Sequence, residues 1–158
     1  MEEQLLRSMG FGVTSGVITT LGLIVGLDAS TGSRMVVLGG ILSIAIADAL
    51  SDATGMHISE EAVSGEGEKI WGAMGLTFLF KLLMALTFTV PVVFLTLQTA
   101  VVVNIVWGLS VLAVLSWRLA RHKGENPWFS VGEHLAIALG VVVITRLVGL
   151  WIKGIFGG

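Results

Sequence analysis

Long apolar runs alternate with short polar breaks along this chain, and the runs set its architecture. A bilayer core of ~30 Å needs about 20 mostly apolar residues per crossing helix. Five runs meet that length. The first covers about Gly10 to Leu27 and ends in the polar stretch Asp28 to Arg34. The second covers Met35 to about Met56 and gives way to an acidic segment, Ser59-Glu60-Glu61 through Glu66-Gly67-Glu68-Lys69. The third covers about Ile70 to Leu95, with Pro91 near its far end. The fourth spans about Thr99 to Trp117, and the fifth Gly132 to about Ile152. The pattern predicts an all-α integral membrane protein, with five transmembrane helices in a single domain over residues 1–158.

Composition agrees with the pattern. Hydrophobic residues make up 54 % of the chain and charged residues 13 %, about half the ~25 % of charge usual in soluble domains. The mean hydropathy is +0.93. So few charges could not cover a water-facing surface, which excludes soluble enzymes. A net charge of −2 gives no basic footprint for nucleic acid. The absence of cysteine excludes disulfides, zinc–thiolate sites and iron–sulfur clusters.

Basic residues in short loops set orientation. With the N-terminus inside, the inner side holds Arg7, Lys69, Arg118, Arg121 and Lys123, and the outer side only Arg34 and Lys153. This excess predicts N-inside and C-outside. The leader Met1-Glu2-Glu3-Gln4 is acidic where a cleavable signal needs positive charge, so no signal peptide is expected.

Small residues are spaced for close packing. The first run carries Gly12-x-x-x-Gly16 and Gly22-x-x-x-Gly26, and the second carries Gly39, Ser43, Ala47, Ser51 and Gly55. Lipid is as apolar as leucine, so membrane helices associate where small residues let backbones approach. These faces predict tight contacts within or between protomers.

Four ionisable residues fall inside the runs: Asp48, Asp52, Lys81 and Arg146. Each costs roughly 2.5–3.5 kcal/mol at a helix centre, and such residues usually mark an ion pathway or ligand site. Asp48 and Asp52 are four residues apart, so they share one helix face. Two carboxylates so close suit the exchange of protons for a cation, and oxygen ligands favour ions such as Mg, Mn or ferrous iron. Ser51, and Thr14, Ser15, Thr19 and Thr20 on the first helix, could add neutral oxygens. The competing reading is a set of structural ion pairs. Lys81 matches Asp48 in depth, while Arg146 fits better beside Asn104.

Beyond the second run, helical spacing would align Met56 with Glu60 and His57 with Glu61. With Glu66 and Glu68 these form either a solvated acidic loop or a weak site that collects divalent cations. Glu133 reads as a helix-start residue that favours the dipole of the fifth helix. His134 follows it, and His122 reads as an ordinary membrane-surface residue.

Taken together, Gly12-Val13-Thr14-Ser15-Gly16-Val17-Ile18-Thr19-Thr20-Leu21-Gly22, Val37-Leu38-Gly39-Gly40-Ile41 and Ala47-Asp48-Ala49-Leu50-Ser51-Asp52-Ala53-Thr54-Gly55 resemble the first two helices of the vacuolar iron transporter family. Specific similarity covers about residues 10–62 and is architectural afterwards. The resemblance implies a homodimer with an ion path between protomers, lined by the first two helices, and export of ferrous iron from the cytosol in exchange for protons. Three departures stand out. Ser15 falls where that family has an aspartate, and Asp52 where it has a methionine. The family's glutamate-rich metal-binding domain shrinks to Ile58–Lys69.

The sequence thus leads to a transporter of a divalent metal, iron or manganese, coupled to protons and sited in a prokaryotic cell membrane. The metal is cargo, and no permanently bound cofactor and no enzymatic activity are expected. Asp48, Asp52, Met56, Glu60 and Glu61 are the candidate metal ligands. Asp48, Asp52, Ser51, Ser15, Thr14 and Thr19 are the candidate pathway. The alternative is a non-transporting scaffold or subunit of the same fold, with Lys81 and Arg146 in structural pairs.

Overall fold

A computed structural model describes residues 2–63 and 67–157. Among the described residues six helices follow one another: α1 (Glu2–Thr31), α2 (Arg34–Val63), α3 (Gly67–Thr87), α4 (Thr89–Phe94), α5 (Leu97–Lys123) and α6 (Pro127–Phe156). The short α4 continues α3, so five helical rods are long and apolar enough to cross a membrane. Among the described residues no strand is present.

The rods extend past the apolar runs at both ends. At 1.5 Å per residue, 30-residue helices such as α1, α2 and α6 reach about 45 Å, beyond a ~30 Å hydrocarbon core. Helix α2 therefore carries His57, Glu60 and Glu61 on its last turns, where a loop was equally expected. Helix α6 starts five residues earlier than the apolar run, because Asn126 caps it by accepting from Trp128 N at 3.1 Å and Pro127 opens its first turn. Glu133 consequently lies in the second turn, so its expected role at the helix start is not realised. The α5–α6 turn closes on Gly124, whose φ of 72° is left-handed, with Glu125 N bonded to Ala120 O at 2.9 Å.

Between α3 and α4 the helix breaks at Phe88, three residues before Pro91. Proline lacks an N–H and clashes with the carbonyl four residues back, here that of Thr87. Helix α5 ties the break: Asn104 Nδ2 donates to Phe88 O at 3.1 Å, and Trp107 Nε1 to Thr87 Oγ1 at 3.0 Å. Neighbouring side chains are what make such breaks tolerable in a bilayer. Asn104 therefore does not serve as a partner for Arg146, which is exposed on α6 and, among the described residues, forms no ion pair.

Helix α1 runs through the middle of the bundle. Val17, Leu21, Ile24 and Val25 are buried against Ile41, Phe88, Val92 and Leu112 from the surrounding helices. On the α3 side, a Cβ added at Gly12 would lie 3.0 Å from Thr77 O, and one at Gly16 3.3 Å from Lys81 O. The first Gly-x-x-x-Gly pair is thus used inside the protomer, where two backbones nearly touch. On α2 the buried stripe is Val37, Ile41, Ala45, Ala49 and Ala53. The Gly39, Ser43, Ala47, Ser51, Gly55 ladder lies on the other side and is exposed.

Candidate functional site

Asp48 and Asp52 each stand one residue before a buried alanine, Ala49 and Ala53, and one after a residue of the exposed ladder, Ala47 and Ser51. They therefore sit at the edge of the α2–α3 contact. The alanines keep that contact shallow, and Lys81 of α3 reaches across it.

Its ammonium lies between both carboxylates. Lys81 Nζ is 2.6 Å from Asp48 Oδ2 and also pairs with Asp52 Oδ2. It donates to Ser15 Oγ of α1 at 2.9 Å, and Ser15 Oγ donates to Asp52 Oδ2 at 2.6 Å. Three helices meet in one polar knot within an apolar surround. Lys81 is 1 % exposed, while the Asp48 and Asp52 side chains keep 24 % and 20 % of their surface open toward the ladder side of α2.

The other expected site residues are distributed differently. Thr19 Oγ1 bonds back to Ser15 O at 2.8 Å, which braces the helix turn carrying Ser15. Thr20 Oγ1 is buried without a hydrogen-bond partner, and Ser51 is exposed on the ladder. Met56 is half-buried, and Glu61 and Glu68 are exposed. Glu60 pairs with Arg7 at 3.3 Å, joining the ends of α1 and α2. His57 stacks edge-on against Trp71 at 4.8 Å. Glu66 lies outside the described residues. From Asp48 to Glu61 the expected metal ligands are strung over about 20 Å of helix. Among the described residues no three His, Asp or Glu side chains converge as a metal-holding group. The five-residue ligand set is therefore not brought together, because a single straight helix cannot fold its own turns around an ion.

A cavity of about 1540 Å³ opens between α1, α5 and α6 at the Arg7 end of the bundle. Arg7, Lys123 and Glu125 lie at its mouth, and Thr14, Ser15 and Thr19 line it along α1. On the facing wall Ser116 Oγ and His134 Nδ1 are 3.0 Å apart, tying α5 to α6. Ser15 thus belongs to two places, lining the cavity and bonding to Asp52 and Lys81. Neither this cavity nor the bridging of both carboxylates by one lysine was read from the sequence. The second had a signal: Asp52 is one turn from Asp48, so any ammonium at Asp48's depth can reach both. The Asn126-Pro127 helix start was a signal that α6 begins early enough to bring His134 beside α5.

Against known proteins, the chain matches no family model and no curated protein.

Proposed function

We propose that this chain is a membrane transporter of a small cation, exchanged for protons, and that the Asp48–Lys81–Asp52–Ser15 knot is where the ion is handled. The observation that supports this is a charge count. Two carboxylates share one ammonium, so the ionised knot carries a surplus of one negative charge. A structural bridge in a low-dielectric setting is best closed at neutrality, since desolvation of an uncompensated charge costs several kcal/mol. A proton makes up the balance with Lys81 in place, a divalent cation does so once the ammonium leaves the two carboxylates, and alternation between these states is exchange.

Carboxylate and hydroxyl oxygens suit hard or borderline ions, so iron or manganese as divalent cargo remains the first choice. The family resemblance over residues 10–62 points the same way and adds a homodimer, while the excess of basic residues on one side puts the N-terminus inside and the compact chain suits a prokaryotic cell membrane. Lys81 changes the expected chemistry: a divalent cation reaches both carboxylates only as the ammonium swings out.

A second reading is favoured by the same distances. With both carboxylates within ion-pair reach of Lys81, the knot could serve only to hold α1, α2 and α3 together in a scaffold or subunit. Flux in proteoliposomes separates the two. Purified protein should carry at least one of Fe²⁺, Mn²⁺, Co²⁺, Zn²⁺ or Mg²⁺ inward, with an opposite proton movement reported by an enclosed pH dye. Flux at the level of protein-free vesicles for every ion would leave the scaffold reading.

A further inference from the structure

The cavity between α1, α5 and α6 is unaccounted for by an ion path that runs between two protomers. It follows α1 from Arg7 to Thr19, and the part within the apolar run, Gly10 to Thr19, is about 14 Å at 1.5 Å per residue, close to half of a ~30 Å hydrocarbon core. Its volume of about 1540 Å³ far exceeds what a single water needs. Its depth is mixed in character: Thr14, Ser15 and Ser116 line it among Phe11, Ile18 and Leu115, and the hydroxyls of Ser15 and Ser116 already bond to protein groups. Polar groups in a membrane interior face protein partners or water.

We infer that this cavity is an aqueous vestibule inside a single protomer, which brings water and hydrated cations from the Arg7 end of the bundle to Ser15. The inference rests on the ion-handling reading of the knot. Ser15 is the connecting residue: it lines the vestibule, and its hydroxyl donates to Asp52, so an arriving ion meets the knot beside it. The mouth carries Arg7 and Lys123 beside Glu125, a mixed rim that admits hydrated ions without holding one. The Ser116–His134 bond fixes the spacing of α5 and α6 at mid-depth and so sets the width of the passage.

The chain has no cysteine, so single-cysteine labelling reads the vestibule directly. Ile18→Cys lies deep in the cavity and Leu119→Cys near its mouth, whereas Val102→Cys and Leu147→Cys sit on exposed apolar faces of α5 and α6. In lipid nanodiscs, a charged methanethiosulfonate reagent should modify the two cavity cysteines at least tenfold faster than the two controls. Modified Ile18→Cys protein should then show at least tenfold lower Mn²⁺ flux in proteoliposomes than the same protein unmodified. Cavity cysteines as slow as the controls, yet reactive to a membrane-permeant maleimide, would mean that lipid fills the cavity. Slow reaction with both reagents would mean that a second copy covers it, and either result overturns the vestibule. Fast labelling without loss of flux would also overturn it as the route. If the unmodified protein carries no ion at all, the functional reading fails first, and labelling still decides whether the cavity holds water.

Discussion

Helix α1 packs against α3 on one side and faces a cavity on the other, and few residues separate the two regions. On the α3 side Gly12 and Gly16 bring backbones to near contact, so Lys81 is buried between two aspartates that stay partly open. On the other side glycine contacts to α6 lie at the end away from Arg7, where a Cβ on Gly149 would be 2.5 Å from Gly26 O. Nearer Arg7, Thr14, Ser15 and Thr19 face open space. Close packing closes the charged knot, and its absence on the far side of the same helix leaves a way in. Ser15 stands at the boundary between them.

If the packed side is held by ion pairing, removing the ammonium should have the largest effect. Lys81→Met strands two carboxylates, and breaking such a pair costs about 3–5 kcal/mol. Thermal unfolding in detergent should fall steeply, and adding Asp48→Asn and Asp52→Asn to it should restore most of the loss. Near-native stability for Lys81→Met alone would break the comparison.

The two faces of α1 can be weighed on neighbouring residues. Gly12→Val pushes a branched side chain toward Thr77 O and Phe80 Cβ, at 3.0 and 3.2 Å from the new Cβ, and should cost about 1–3 kcal/mol. Thr14→Val, on the cavity face, should stay within about 0.5 kcal/mol. Equal losses would mean that α1 is packed alike on both sides.

Within the knot, Asp52 accepts from Ser15 and Lys81, whereas Asp48 pairs with Lys81 alone. Asp52→Asn should therefore be less stable than Asp48→Asn by about 1.5–3 kcal/mol, the scale of one hydrogen bond to a charged group. The cavity wall gives a smaller effect than the knot. Ser116→Ala should lower stability by about 0.5–1.5 kcal/mol through loss of its bond to His134, read by the same unfolding assay.

The five rods were legible because apolar run length is a one-dimensional property of the chain. Their ends were less so: α2 continues through Glu60 and Glu61 because helix propensity, and not hydropathy, carries those turns. Asn126-Pro127 was a readable start that the apolar run obscured. Asp48, Asp52 and Lys81 could be singled out by the cost of burying charge. That one ammonium serves both carboxylates depends on the alanine stripe of α2 and on Gly12 and Gly16, which set how near three helices come. Arg146 was misplaced for the converse reason: depth along α6 was readable, but the outward face it occupies depends on how α6 packs. The cavity depends on the splay of α1 from α6, which no local pattern encodes.

In the proposed exchange the surplus negative charge of the knot is what moves an ion, and Asp48→Asn is the decisive change. This change leaves Lys81 paired with Asp52 and bonded to Ser15, so the knot becomes neutral while its remaining bonds persist. Changing both aspartates would instead isolate the buried ammonium and confound loss of transport with loss of fold. With folding verified by thermal unfolding, Asp48→Asn protein in proteoliposomes should bring Mn²⁺ flux and its opposing proton movement to the level of empty vesicles. Flux and proton movement equal to those of the unmodified protein would contradict the claim.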